Sequence, residues 1–233
     1  MTKFLLMSAA AAALIATPTM AAKNISPRAS GVVGFHGVKA PAHQVKNPAA
    51  PLCGTGFGAE LPTPDGLIAW NDTSNGYNTA GGADFKCTLA KTKIKEVDVY
   101  GYNAPANPEQ YNVTIYKNSG ADGTDEPNDS KVKCAYTGVS AEGGGQYPTH
   151  TLSHIKLPTA CKVKAGHYWV AVQNNDSAGP WYWEMTSTLG GSAQGDWDDV
   201  NNFFGSGCTS FNNDEYLQQC LGYTYPDYML ELH

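Results

Sequence analysis

The sequence predicts an all-β chain, a two-sheet antiparallel β-sandwich stapled by disulfides, with a closed β-barrel as the alternative. Three observations predict it. Short runs of β-branched and aromatic residues alternate with turn-forming Gly, Asn, Asp, Pro and Ser. No stretch of about 12 residues carries an apolar stripe at helical spacing. The six cysteines form an even set, as in proteins exported to an oxidising compartment.

Residues 1–22 read as a secretory signal peptide. Lys3 supplies the basic start, Phe4 to Ala16 is apolar, Pro18 ends the run, and Ala21 and Ala22 offer small residues for cleavage. The apolar run is about 13 residues, short of the roughly 20 that span a bilayer. Secreted, periplasmic or cell-surface placement follows, with no transmembrane segment expected in the mature chain. Residues 23–52 read as a flexible spacer, with Pro27, Pro41, Pro48 and Pro51 distributed through Ala- and Gly-rich chain. Residues 53–233 are expected to form one β domain.

Within that domain the clearest strand is Tyr111 to Lys117, where Tyr111, Val113 and Ile115 alternate with Asn112, Thr114 and Tyr116. That is one buried and one wet face at period two. Lys93 to Tyr102 alternates Val97 and Val99 with Glu96 and Asp98, and Lys131 to Tyr136 points Val132, Cys134 and Tyr136 inward. Thr149 to Leu157, Gly166 to Asn175, Trp181 to Thr186 and Asp227 to Leu232 follow. Gly66 to Trp70 and Ala83 to Cys87 are weaker. Six cysteines allow 15 pairings. Pairing neighbours along the chain gives Cys53–Cys87, Cys134–Cys161 and Cys208–Cys220.

All 21 acidic residues lie after Cys53, together with ten of the 15 Lys and Arg, so this part carries a formal charge near −11. A nucleic-acid-binding domain is expected to be basic, so that class is excluded.

The run Leu157 to Gln173, with its Ala165-Gly-His-Tyr-Trp-Val-Ala-Val172 core, resembles a strand of secreted bacterial β-sandwich proteins. The Trp181-Tyr-Trp183 strand, the Phe204-Gly-Ser-Gly-Cys208 segment, Val97-Asp-Val99 with Val113-Thr-Ile-Tyr116, and the closing Pro226 to Leu232 strand are similar too. The resemblance implies an exported accessory module of jelly-roll or immunoglobulin-like outline, and it carries over no catalytic residue.

Catalytic chemistry finds little support. The Gly-x-Ser-x-Gly elbow is absent, since Gly138-Val-Ser140-Ala-Glu142 fails at its last position. His150 and His154 would stand about 13 Å apart on a strand, too far to share one ion. His36 and His43 fall in the spacer, and His167 reads as an ordinary surface residue. Glu184, Glu96 and Asp98 are strand acids, and glycosidase chemistry needs two carboxyls about 5–9 Å apart across a cleft. The chain is therefore expected to be non-enzymatic.

Two binding signals remain. Trp181 and Trp183 project from one strand face, with Tyr182 and Glu184 beside them, as a sugar-stacking platform would. The competing reading puts the Trp pair in the core. The acidic loop around Asp122, Asp125 and Asp129 is the calcium candidate, although its spacing is not that of an EF-hand. Asp196, Asp198 and Asp199 form a second acid cluster. Five Asn-x-Ser/Thr triplets, among them Asn112-Val-Thr114, matter only in a glycosylating pathway. The expected function is a secreted binding module for an extracellular or envelope glycan, with no required cofactor and calcium as an optional aid. A structural or adhesive envelope protein is the alternative, and a glycoside-active hydrolase built around Glu184 ranks below both.

Overall fold

The structure, a computed structural model, describes residues 28–30, 50–58, 61, 65–103, 110–119, 125–143, 150–175, 179–189, 191, 193–211, 217–222 and 227–233. These form β1 (Arg28–Ser30), β2 (Asp65–Ile68), β3 (Asn71–Asp72), β4 (Tyr77–Cys87), β5 (Thr92–Asn103), β6 (Gln110–Asn118) and β7 (Pro127–Gly143). After them come β8 (His150–Val163), β9 (Gly166–Asn174), β10 (Trp181–Thr186), β11 (Asp196–Asp199), the short helix α1 (Leu217–Leu221), β12 (Asp227–Tyr228) and β13 (Leu230–Leu232). The fold is all-β, and every ladder between named strands is antiparallel. Within the stretch expected to be a spacer, β1 pairs with β2, Arg28 facing Leu67.

One hydrogen-bonded path runs β1-β2-β10-β5-β8-β7-β6-β9-β4-β11, with β12 on β10, β13 on β5 and β3 on β4. Its pivot is β7. Pro127 to Ser140 pairs with β6, while Ala141 to Gly143 pairs with β8. The path curls, so residues far apart along it meet. Tyr111 of β6 sits edge-on to Trp181 of β10 at 5.3 Å, and its hydroxyl is 2.9 Å from Ser153 Oγ on β8. Trp183 stacks on Tyr228 at 4.5 Å. A Cβ at Gly81 of β4 would lie 2.8 Å from the Trp183 ring and 2.9 Å from that of Tyr228, so only glycine admits this approach.

The alternation read from the sequence places Val97, Val99, Tyr111, Val113, Ile115, Val170 and Val172 in the core. Trp169 and Ala171, on the other face of β9, are buried as well. Val132 is exposed rather than inward, because three register shifts between β6 and β7 interrupt the period of two. The disulfides join Cys53 to Cys87, Cys134 to Cys161 and Cys208 to Cys220. No helix among the described residues is long and apolar enough to cross a membrane.

Candidate functional site

The Trp platform is the first expectation to be corrected. Trp181 is 1 % exposed, Trp183 0 %, Tyr182 8 % and Glu184 0 %. The strand is covered on both sides: Trp181 and Trp183 belong to the core, and Gly58 packs against Thr186 and Thr188. The Trp183 indole N–H is spent on the Met229 carbonyl at 3.0 Å. Neither ring pair offers a flat face to a sugar, and Glu184 is closed to solvent.

The calcium set is not assembled among the described residues. Asp122 lies outside them. Asp125 accepts from Asn118 Nδ2 at 2.9 Å and lies 3.3 Å from His167 Nδ1. Asp129 is half-buried, which raises its pKa, and the Phe211 backbone N–H offsets part of that rise. Of the second acid cluster, Asp199 accepts the backbone N–H groups of Phe203 and Phe204, each at 2.9 Å, which is turn chemistry. His167 is no ordinary surface residue either. Its Nε2 is 2.6 Å from Asp84 Oδ2, and Asp84 also accepts the Ala193 backbone N–H at 3.2 Å. The imidazole fastens β9 to Asp84 of β4, and Asp84 in turn holds the backbone at Ala193.

What the fold does assemble lies on the outer face of β5, β8, β7 and β13. Because Val97, Val99 and Ile155 point into the core, Glu96, Asp98 and His154 point away from it. Register then aligns Glu231 of β13, Asp98 of β5, His154 of β8 and Glu142 of β7 in one row across four strands. His154 Nδ1 is 2.9 Å from Asp98 Oδ2 and 3.4 Å from Glu96 Oε1. His233 Nε2 is 3.5 Å from the same Asp98 oxygen and 3.5 Å from Glu231 Oε2. Burial, then the neighbouring Asp98, raises the Glu96 carboxyl above its usual range. The hydrogen bond to Asp98 raises His154. Burial raises Glu231, which the Phe57 backbone N–H partly offsets.

Two irregularities shape this face. Lys95 and Glu96 both donate backbone N–H bonds to the His233 carbonyl, at 2.6 and 3.0 Å. Two residues thus oppose one, a bulge that turns both side chains outward. On β8 the pairing jumps from Lys156 to Cys161, leaving Leu157 to Ala160 without β5 partners. Pro158, which lacks an N–H, suits such an interruption. The Tyr136 hydroxyl holds it by donating to the Thr159 carbonyl at 2.7 Å.

Beside this interruption runs an open groove lined by Lys93, Lys95, Lys133, Cys134, Thr159, Ala160 and Lys162. Lys93 and Lys162 oppose each other across the β5–β8 ladder. No acidic side chain belongs to that lining, although the chain as a whole is acidic. The nearby Lys156 is different, since it pairs with Glu142 at 2.7 Å.

The chain matches no protein-family model, no curated protein and no solved structure.

The pairing of Glu96 with Asp98 was readable from their i, i+2 spacing. The arrival of His154 and His233 was not, because one comes from β8 and the other from the residue that follows β13. Nor was the groove, since its lysines come from three strands and an irregular ladder.

Proposed function

We propose that the chain is an exported, non-catalytic binding domain whose ligand is an anionic glycan of the extracellular space or envelope, held in the lysine groove. The observation that carries this reading is the collection of four lysines from three strands around one groove with no carboxylate in its lining. Crowding like charges is unfavourable without a counter-charge. A chain of sulfate or uronate groups supplies one, and it gains by neutralising several cations at once. Export is supported by the signal-like N-terminus and by three disulfides, which persist outside the reducing cytoplasm.

The same reading treats the curled sheet as a sandwich, one layer being the ladder through β5 and the other the ladder through β9. Supporting it, Trp181 and Trp183 of the first layer meet Tyr111 and Gly81 of the second. The ends of the path, β1 and β11, share no ladder among the described residues, as an open sandwich requires.

The test is retention of the mature chain on sulfated, uronate-containing and neutral polysaccharides. Retention on the anionic polymers is expected at about 0.05 M salt and loss by about 0.5 M, where screening is short-ranged. Replacing Lys93 and Lys162 by Gln should abolish it while leaving the circular-dichroism spectrum unchanged. No salt-dependent retention, or equal retention of the double variant, would reject the proposal. Equal affinity for duplex DNA would reject the glycan.

A further inference from the structure

We infer that Glu96, Asp98 and His154 form a binding site for a divalent transition-metal ion of the zinc type, with His233 as the donor that completes it. This goes beyond the glycan reading and does not depend on it.

The geometry comes first. One donor atom from each of Glu96, Asp98 and His154 lies within 4.8 Å of the other two. Zinc bound at about 2.0–2.1 Å in a tetrahedron sets its donors about 3.3 Å apart. The separations of His154 Nδ1 from Asp98 Oδ2 and from Glu96 Oε1, 2.9 and 3.4 Å, bracket that figure. His233 Nε2, 3.5 Å from Asp98 Oδ2, stands at the same spacing from the shared oxygen.

A second observation is independent of the clustering. Asp98 is 3 % exposed, yet its Oδ1 has no hydrogen-bond partner among the described residues. The His233 side chain is 10 % exposed, and neither ring nitrogen makes a hydrogen bond there. Buried polar atoms of a folded protein are nearly always satisfied, so each such atom needs an explanation. A carboxylate oxygen and an imidazole nitrogen this deep, the nitrogen held only by 3.5 Å contacts to Asp98 and Glu231, still have lone pairs to give to an ion.

Charge agrees. Glu96, Asp98 and Glu231 place three carboxylates around two imidazoles, while the adjacent Lys156 is engaged by Glu142. A divalent cation relieves the repulsion among the carboxylates. The donor set also selects the ion. Calcium takes six to eight oxygens and magnesium keeps an all-oxygen octahedron, whereas imidazole nitrogen mixed with carboxylate suits zinc and its neighbours.

The scaffold is rigid where it must be. Asp98 and His154 are cross-strand partners in a regular stretch of ladder, and the β5 bulge turns Glu96 outward beside them. Ordered strands hold ligands more closely than loops do.

The experiment uses the untagged mature chain, stripped with a chelator and titrated calorimetrically with zinc chloride. One zinc per chain is expected, at a dissociation constant below about 10 µM, with release of protons as donors shed them. Asp98→Asn and His154→Ala should each weaken binding by at least about tenfold. His233→Ala should weaken it less, and Asp125→Asn, at the separate His167 contact, not at all. Calcium and magnesium should not compete at equal concentration. Absence of stoichiometric binding would overturn the proposal, as would undiminished binding in both the Asp98 and His154 variants. Equal affinity for calcium would overturn the choice of ion. Should the variants fail the near-ultraviolet circular-dichroism check for folding, cobalt(II) titration of the unaltered chain decides. Intense visible bands of a four-coordinate ion support the site, and their absence rejects it.

Discussion

Trp183 shows what one side chain does in this molecule. Its ring is stacked on Tyr228, lies over Gly81, and has its indole N–H donated to the Met229 carbonyl. Trp183→Ala should lower unfolding free energy by about 3–5 kcal/mol, measured by chemical denaturation. Buried tyrosines give a prediction with a sign. Burial pushes Tyr116 up to about 12, and the still deeper Tyr111 rises too. An unfolded phenol ionises near pH 10, so the folded state holds protons that the unfolded state loses. Stability from this source is complete below about pH 10 and falls as pH rises through about 12. Denaturation series from pH 9 to 12 should show the decline, and Tyr116→Phe should shallow it. A flat profile would contradict the burial of these phenols. At this scale the sequence was half informative. It placed Trp181 and Trp183 on one face, but whether that face is core depends on what crosses the strand, and local spacing holds no record of that.

Among the elements, β8 matters most to the proposed binding face. Its unpaired Leu157 to Ala160 stretch opens the groove, and the Cys134–Cys161 disulfide ties β7 to β8 there. Replacing both cysteines by Ser should cost about 3.5 kcal/mol in the chain-entropy model. It should also weaken polyanion retention by freeing Lys133 from Lys162, a double effect that separates this bridge from Cys208–Cys220. If stability falls and retention does not, the bridge is purely structural. Period two made β5, β6, β9 and β10 legible, and pairing cysteines by chain proximity agreed with the disulfides found. The same period missed β11, because Asp196-Trp-Asp-Asp199 is written in turn residues and is buried by its neighbours in the fold, with β4, Ile68 and Phe204 among them. It missed β1 and β3 because strands of three and two residues are too short to show alternation.

The whole molecule separates its charges. Acid dominates the sequence, yet one groove is basic and the row beside it gathers carboxylates and imidazoles. The two features share the β5 bulge, with Lys95 facing the groove and Glu96 the row. Composition pointed away from nucleic acid but could not show this segregation, which arises only when β5, β7, β8 and β13 are laid side by side. Sequence neighbours are often not sheet neighbours: β10 lies between β2 and β5, and β9 between β4 and β6. Such long-range pairing implies slow folding, in milliseconds to seconds. Stopped-flow refolding with the disulfides intact should fall in that range.

β7 has one end in each ladder. Neither half of the molecule can come loose without robbing the other of an edge, so thermal opening should travel through both together. Amide exchange would register this as one shared loss of protection in β5 and β9, with no intermediate in which half the barriers stand.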